Sequence, residues 1–201
     1  EIAQCLVGSE MCIRDSNASK TALTWRKYLD EQYANGIWNT NACPIVIRYA
    51  EVLLTYAEAV NELSGPSADV YDKLDLIRGR VGMPKVDREK YASKETLRRL
   101  IRRERGVELA GEGVRRADIL RWKDDNGKMV AETVLNGVLE RVVGTVNYAE
   151  TDPTKRAEID TNAPVTDKKI EDRVFKVHNR YNPIPQGAID NNPNLEQNPG
   201  Y

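Results

Sequence analysis

Cysteine, histidine and phenylalanine are scarce in this chain: three, one and one among 201 residues. Cys5, Cys12 and Cys43 are odd in number and stand at no metal-ligand spacing, which argues against both a paired disulfide framework and a zinc site. His178 has no cysteine, histidine or acidic residue at ligand spacing, so it reads as a strand or surface residue and not as a metal ligand. Neither a metal nor a cofactor is expected. No stretch reaches the roughly 18–20 apolar residues needed to span a bilayer. The start lacks a basic region followed by an apolar one, so no segment as written targets or anchors the chain. An excess of one charge is missing too: 30 basic residues face 31 acidic ones, a net charge of −1. No overall field then recruits nucleic acid or an anionic membrane, and a partner has to be recognised locally.

What is present, 40% hydrophobic and 30% charged residues, is enough to bury one sizeable core, and the length predicts one folded unit. Residues 1–16 stand apart, because EIAQCLVGSEMCIRDS shows neither helical nor strand periodicity and no cap signals. The run from Cys5 to Ser16 resembles translated sequencing-adapter sequence, so residues 1–16 are set aside as non-native and residues 17–201 carry the fold. Ile2-Ala3 before Cys5 has the flavour of a lipid-acceptor site. Gln4 defeats that reading, since a small residue has to stand immediately before such a cysteine.

From Pro44 to Leu63 the apolar residues Ile45, Tyr49, Val52, Leu53, Tyr56, Ala57, Val60 and Leu63 recur at three- and four-residue steps, as on one face of a helix. Pro44 suits a first helical position and Gly65 a stop. Pro66 opens a second helix through Val70, Leu74, Ile77 and Val81, ended by Gly82 and Pro84. Two such helices have the size of a tetratricopeptide-like hairpin, the unit of α-solenoids, although no second copy follows. Ser93 is a good N-cap for a third helix to Ala110, stopped by Gly111. A short helix from Val114 to Lys123 carries Ala117, Leu120 and Trp122 inward.

With Leu97 at zero and 100° per residue, Leu100, Ile101, Glu104, Val107 and Glu108 all fall within about 80° of it. Two glutamates therefore sit inside an apolar stripe. One reading makes them the acid and base of a glycoside hydrolase, since burial raises a carboxyl pKa. Neighbours on one helix turn point the same way, however, whereas a glycosidase flanks the bond from opposite sides. The other reading pairs Glu104 and Glu108 with guanidinium groups, with Arg48, Arg115, Arg116 and Arg121 as candidates, in a structural ion-pair network. The basic residues between 94 and 123 interleave with Glu95, Glu104, Glu108, Glu112 and Asp118, the pattern of a solvated helix face rather than a phosphate track.

Beyond Asp124 the helical pattern fades, and Pro153, Pro164, Pro183, Pro185, Pro193 and Pro199 interrupt the chain. Long loops with short strands are expected, Val138–Val143 and Val174–Val177 being the best strand candidates. The ending from Asn182 to Tyr201 has too few apolar residues to fold alone. Ile184, Ile189, Leu195 and Tyr201, between rigid prolines, favour a docked tail.

Four segments resemble the C-terminal region of the SusD/RagB proteins: IRYAEVLLTYAEAVNELSG at 47–65, LIRGRVGMP at 76–84, RRERGVELAGEGVRRADILRW at 102–122, and the closing YNPIPQGAIDNNPNLEQNPGY. Their order and spacing match as well. The resemblance implies a mainly α fold of tetratricopeptide-like hairpins with long irregular loops and a docked C-terminal tail. Two positions depart from the family pattern. Gly106 stands where a basic residue is common, at about 1 kcal/mol of helix stability relative to alanine, and Arg116 where an aromatic one is common.

The resemblance further implies a non-catalytic glycan- or nutrient-binding lid on the outer face of the outer membrane. Such a lid works with a SusC-like TonB-dependent transporter and is held by a lipid anchor that this chain does not contain. Its candidate ligand contacts here are Trp25, Tyr28, Tyr33 and Trp38, because aromatic rings stack on sugar faces; each also reads as a packing aromatic. The alternatives are a protein-binding α-solenoid adaptor and a hydrolase using Glu104 and Glu108.

Overall fold

The structure, a computed structural model, describes residues 20, 21, 27, 43, 45–147, 149–150, 155 and 157–201. These fall into two compact units where the length argued for one. The first lies within Gly36–Arg116, and the second comprises Ala117–Tyr201 with the described residues of the first 35.

The helical unit holds α1 (Tyr49–Ser64), α2 (Ala68–Arg80) and α3 (Lys94–Glu108). Pro44 lies outside the described residues, and Ile45, Val46 and Ile47 are exposed and non-helical. Helix α1 therefore starts later than its apolar periodicity extends. Its end is as expected: the backbone turns at Gly65, whose φ of 80° favours a residue without Cβ. Ser67, not Pro66, caps α2, its hydroxyl accepting a hydrogen bond from Val70 N. Ser93 caps α3, and Thr96 returns the bond to the Ser93 amide, a capping box with threonine in the usual glutamate position.

These helices share one core: Leu53, Leu54 and Ala57 from α1, Val70, Tyr71, Leu74 and Ile77 from α2, and Leu97, Leu100 and Ile101 from α3. Fully burying each large aliphatic side chain contributes about 1.5–3 kcal/mol. The apolar positions of α1 do not all turn inward. Tyr49, Val52, Tyr56 and Leu63 are 70%, 52%, 44% and 86% exposed. At 100° per residue these four share an arc of about 60°, roughly 120° around from the buried set. Helix α1 thus has two apolar stripes, one packed and one open. On α3 the buried residues Leu97, Leu100, Ile101 and Arg105 span an arc of about 140°, and Val107, placed on the stripe by periodicity, is 56% exposed. Val107 lies about 20° beyond Leu100, just outside the edge of that arc.

Helix α4 (Arg115–Arg121) buries Asp118 and Ile119, and Trp122 follows them inside. Ala117 is exposed and Leu120 half-buried, contrary to the periodic reading. A helix of seven residues is two turns long, too short for apolar spacing to fix its face.

The second unit continues through α5 (Val130–Val134), β1 (Gly137–Glu140), β2 (Gly144–Val146), β3 (Ala157–Ile159), α6 (Val165–Lys168), β4 (Lys169–Arg173), a 3₁₀ turn at Val177–Arg180 and α7 (Gln186–Asn191). Strand β1 pairs antiparallel with β4, Gly137 opposite Arg173 and Leu139 opposite Glu171, and β2 pairs antiparallel with β3. The expected strand at Val174–Val177 is displaced: the paired segment is the charged run Lys-Ile-Glu-Asp-Arg before it, and Val174 is 74% exposed. Backbone pairing with β1 sets this ladder, so β-branched composition did not locate it. His178 sits in the 3₁₀ turn rather than a strand.

In the tail, Ile184, Ile189 and Leu195 are half-buried and Tyr201 is 46% exposed. Side-chain amides hold its backbone. Gln197 Oε1 accepts from Ile184 N at 2.8 Å while Gln197 Nε2 donates to Ile184 O at 2.9 Å. Asn198 Nδ2 donates to Asn182 O at 2.7 Å. Asn136 clamps Phe175 in the same two-point way, at 2.6 and 3.2 Å.

Candidate functional site

The glutamates of α3 lie at one end of the helical unit. Helix α1 carries Arg48 just before its first turn, α2 carries Arg78 and Arg80 in its last turn, and α3 ends on Glu108. Arg48 Nη1 donates to Glu108 Oε1 at 2.5 Å, and Arg48 Nε lies 2.8–2.9 Å from both Glu112 oxygens. Arg48 Nη2 also reaches the Glu108 carbonyl. Arg80 Nη2 approaches the Glu108 carboxylate at 2.8 and 3.1 Å. Glu104 is bridged by Arg78, which also donates from Nε to Pro84 O at 2.7 Å. The side chains of Glu104, Glu108 and Glu112 retain 12%, 11% and 4% of their exposure. Forked, charge-assisted contacts of this kind tie three chain segments together. They also push the Arg48 guanidinium further above its ordinary value, mainly through Glu112, with burial opposing and Glu108 adding.

The junction thus unites Arg48 with Glu108 as the sequence proposed, but gives Glu104 to Arg78, which was not among the candidates. Arg121 bonds Asp118, three residues earlier, at 2.9 Å. Arg115 and Arg116 are exposed. The Arg115 guanidinium lies over Gly106, its Nη1 only 3.1 Å from where a Cβ would stand. A side chain at 106 would displace it, which gives this helical glycine a use beside its cost. Apolar periodicity alone does not mark Arg78 and Arg80 on α2, where basic residues two apart in a last helical turn are the available signal; Glu112, legible only as one acid of a mixed-charge face, turns out to face Arg48.

Trp25, Tyr28, Tyr33 and Trp38 lie outside the described residues, as do Cys5 and Cys12. Among the described residues no group of three histidine, cysteine or acidic side chains is placed to hold a metal. No helix there is long and apolar enough to cross a membrane.

A second feature belongs to the C-terminal unit. Residues 177–181 and 199–201 face each other across an open cleft of about 530 Å³ lined by Val177, His178, Arg180, Tyr181, Pro199 and Gly200. The Tyr201 hydroxyl donates to Tyr181 O at 2.8 Å and accepts from Asn179 Nδ2 at 3.2 Å. The His178 and Tyr201 rings meet edge to face, with centroids 4.9 Å apart.

The described residues thus comprise a three-helix unit braced by arginine–glutamate pairs and a C-terminal unit of short antiparallel strand pairs and amide-clamped irregular segments. The family comparison makes the class specific: the SusD family model matches residues 10–201, and the chain belongs to that family. The match begins inside the set-aside first 16 residues, which lie outside the described ones. Among curated proteins, the chain is 40% identical over 79 residues to SusD-like protein P25 of Formosa agariphila, covering 39% of this chain and 15% of the relative. To SusD-like protein P2 of the same organism it is 38% identical over 93 residues, covering 44% and 18%. A solved SusD-like protein from Bacteroides fragilis NCTC 9343 aligns with TM-score 0.58 and 28% identity, covering 79% of this chain and 26% of that one. The solved protein BT4246 aligns with TM-score 0.59 and 25% identity, covering 84% and 26%. The chain therefore spans about a sixth of the curated relatives it matches and about a quarter of the solved ones.

Proposed function

We propose that this chain is part of a non-catalytic glycan- or nutrient-binding lid. That lid acts on the outer surface of the outer membrane with a SusC-like TonB-dependent transporter and is held there by a lipid anchor. The family match over residues 10–201 is the observation that carries this reading. In it the helical unit is scaffold and the irregular segments meet ligand, with Trp25, Tyr28, Tyr33 and Trp38 as stacking platforms. The network of Arg48, Glu104 and Glu108, joined by Arg78, Arg80 and Glu112, is structural in this reading. A hydrolase needs two carboxyls free to flank a glycosidic bond; Glu104 and Glu108 are about nine-tenths covered, and their oxygens already accept from arginine.

The open stripe of Tyr49, Val52, Tyr56 and Leu63 on α1 favours a second reading, a protein-binding α-solenoid adaptor. Titrating the chain with a panel of oligosaccharides while assaying for cleavage products separates the readings. The proposal expects binding without turnover. Product formation contradicts it in favour of a hydrolase, and absence of both leaves the adaptor.

A further inference from the structure

We propose that the cleft between residues 177–181 and 199–201 is a subsite for an anionic saccharide, a sugar unit bearing a carboxylate. This inference rests on the glycan-binding reading and deepens it by locating a contact and naming its charge. The volume of about 530 Å³ lies within the range of small-ligand pockets and holds one or two sugar rings.

Its walls are set before any ligand arrives. Gly200 has φ +96°, and a Cβ there would stand 2.7 Å from His178 Cβ and Cγ. Only glycine lets the last residues lie this close to the imidazole, while the Tyr201 hydroxyl ties the two segments together through Tyr181 O and Asn179. The cleft therefore needs little ordering on binding, which lowers the entropic cost.

The lining chemistry selects the ligand. Val177 and Pro199 offer apolar surface to the C–H face of a ring. The Arg180 guanidinium stacks on Tyr181 at 4.5 Å and donates to the Tyr181 hydroxyl. That engages one of its five N–H donors. Among the described residues Arg180 has no carboxylate partner, in contrast to the paired Arg48, Arg78, Arg80, Arg88, Arg98 and Arg121. No acidic residue lines the cleft. A pre-oriented planar fork, held on an aromatic face and lacking a counter-charge, fits a carboxylate bidentately. A neutral sugar would leave that positive charge uncompensated.

The test is calorimetric titration of the 201-residue chain with a short oligomer of uronic acid, a neutral oligomer of equal length and a sulfated one. The variants are Arg180→Gln, Arg180→Lys, Tyr181→Ala and, as a charge-loss control, the exposed Arg99→Gln. The uronic oligomer should bind at least tenfold more tightly than the neutral one. Arg180→Gln and Tyr181→Ala should each weaken it about tenfold or more, Arg180→Lys should weaken it less, and Arg99→Gln should leave it unchanged. The lysine variant keeps the charge without the fork, so it stays informative if the glutamine variant loosens the tail. Preference for the sulfated oligomer over the uronic one contradicts the carboxylate assignment. Uronic binding unchanged in both Arg180 variants and in Tyr181→Ala overturns the subsite and leaves glycan binding elsewhere intact. Absence of binding to any oligomer overturns the subsite together with the reading beneath it.

Discussion

The helical unit and the C-terminal unit are held by different means. In the first, twelve buried hydrophobic residues form one cluster. Among the described residues from Ala117 onward, only Ile119, Trp122, Ala131 and Ala163 are buried hydrophobics, and after Ala163 there are none. What replaces packing there is capture of backbone by side-chain amides: Asn136 on Phe175, Gln197 on Ile184, Asn198 on Asn182. The two-point clamps of Asn136 and Gln197 do for a lone backbone segment what a neighbouring strand would do, and Asn198 adds a single bond. The lesson is that order without a core is available to a polar chain whose amides satisfy its own backbone.

Substitutions sharpen the contrast, and the largest effect belongs to the core. Leu54→Ala removes a side chain with no exposed surface and should destabilise the helical unit by about 4 kcal/mol, near the upper part of the Leu→Ala range, measured by urea unfolding of the helical signal. Glu108→Ala leaves Arg48 and Arg80 without one of their acceptors at a largely covered junction and should cost about 3 kcal/mol, the lower end for a broken buried pair. A Glu108→Ala variant as stable as the parent would show the junction to be ornamental. Gln197→Ala removes both bonds to Ile184, a loss of about 1–2 kcal/mol. The Ile184 amide should then exchange faster, while the helical amides of α1 to α3 keep their rates.

The smallest effect is a pH dependence. Glu62 lies beside Arg98, with an Nη2 to Oε2 contact of 2.6 Å. That hydrogen bond holds its carboxyl below the ordinary value of 4.5, with burial opposing and the charges of Arg98, Lys94 and Arg102 helping. A depressed folded value means that the contribution is fully present above the ordinary glutamate range and is lost as pH falls through the lower folded value. Glu62→Gln should flatten the acid limb of the stability profile below about pH 4.5; an unchanged limb would assign acid sensitivity to other carboxylates.

What the sequence made legible follows the same division. Helices α1 to α3, their ends at Gly65 and Ser93, and the family were readable, because a packed core leaves apolar periodicity and caps leave serine and glycine. The open stripe of α1 was not: Tyr49 and Leu63 have the same spacing as Leu53 and Ala57, and periodicity does not say which stripe is covered. Within the candidate site, Arg48 with Glu108 was foreseeable from the glutamates' place on α3. Arg78 with Glu104 was not, since long side chains choose partners across helices at distances that sequence spacing does not encode. The strand at Lys169–Arg173 and the clamps of Asn136 and Gln197 left no apolar signal, because backbone hydrogen bonding alone sets them.

The proposed function divides the chain into a helical scaffold and a C-terminal region that meets the ligand. Hydrogen exchange resolved by residue, measured on the 201-residue chain with and without a saturating uronic oligosaccharide, tests it most directly. The prediction is added protection at amides between Val177 and Tyr201, unchanged exchange across Tyr49–Ser64, Ala68–Arg80 and Lys94–Glu108, and an intact oligosaccharide at the end. Protection gained around Glu104 and Glu108, or cleavage of the sugar, would contradict it.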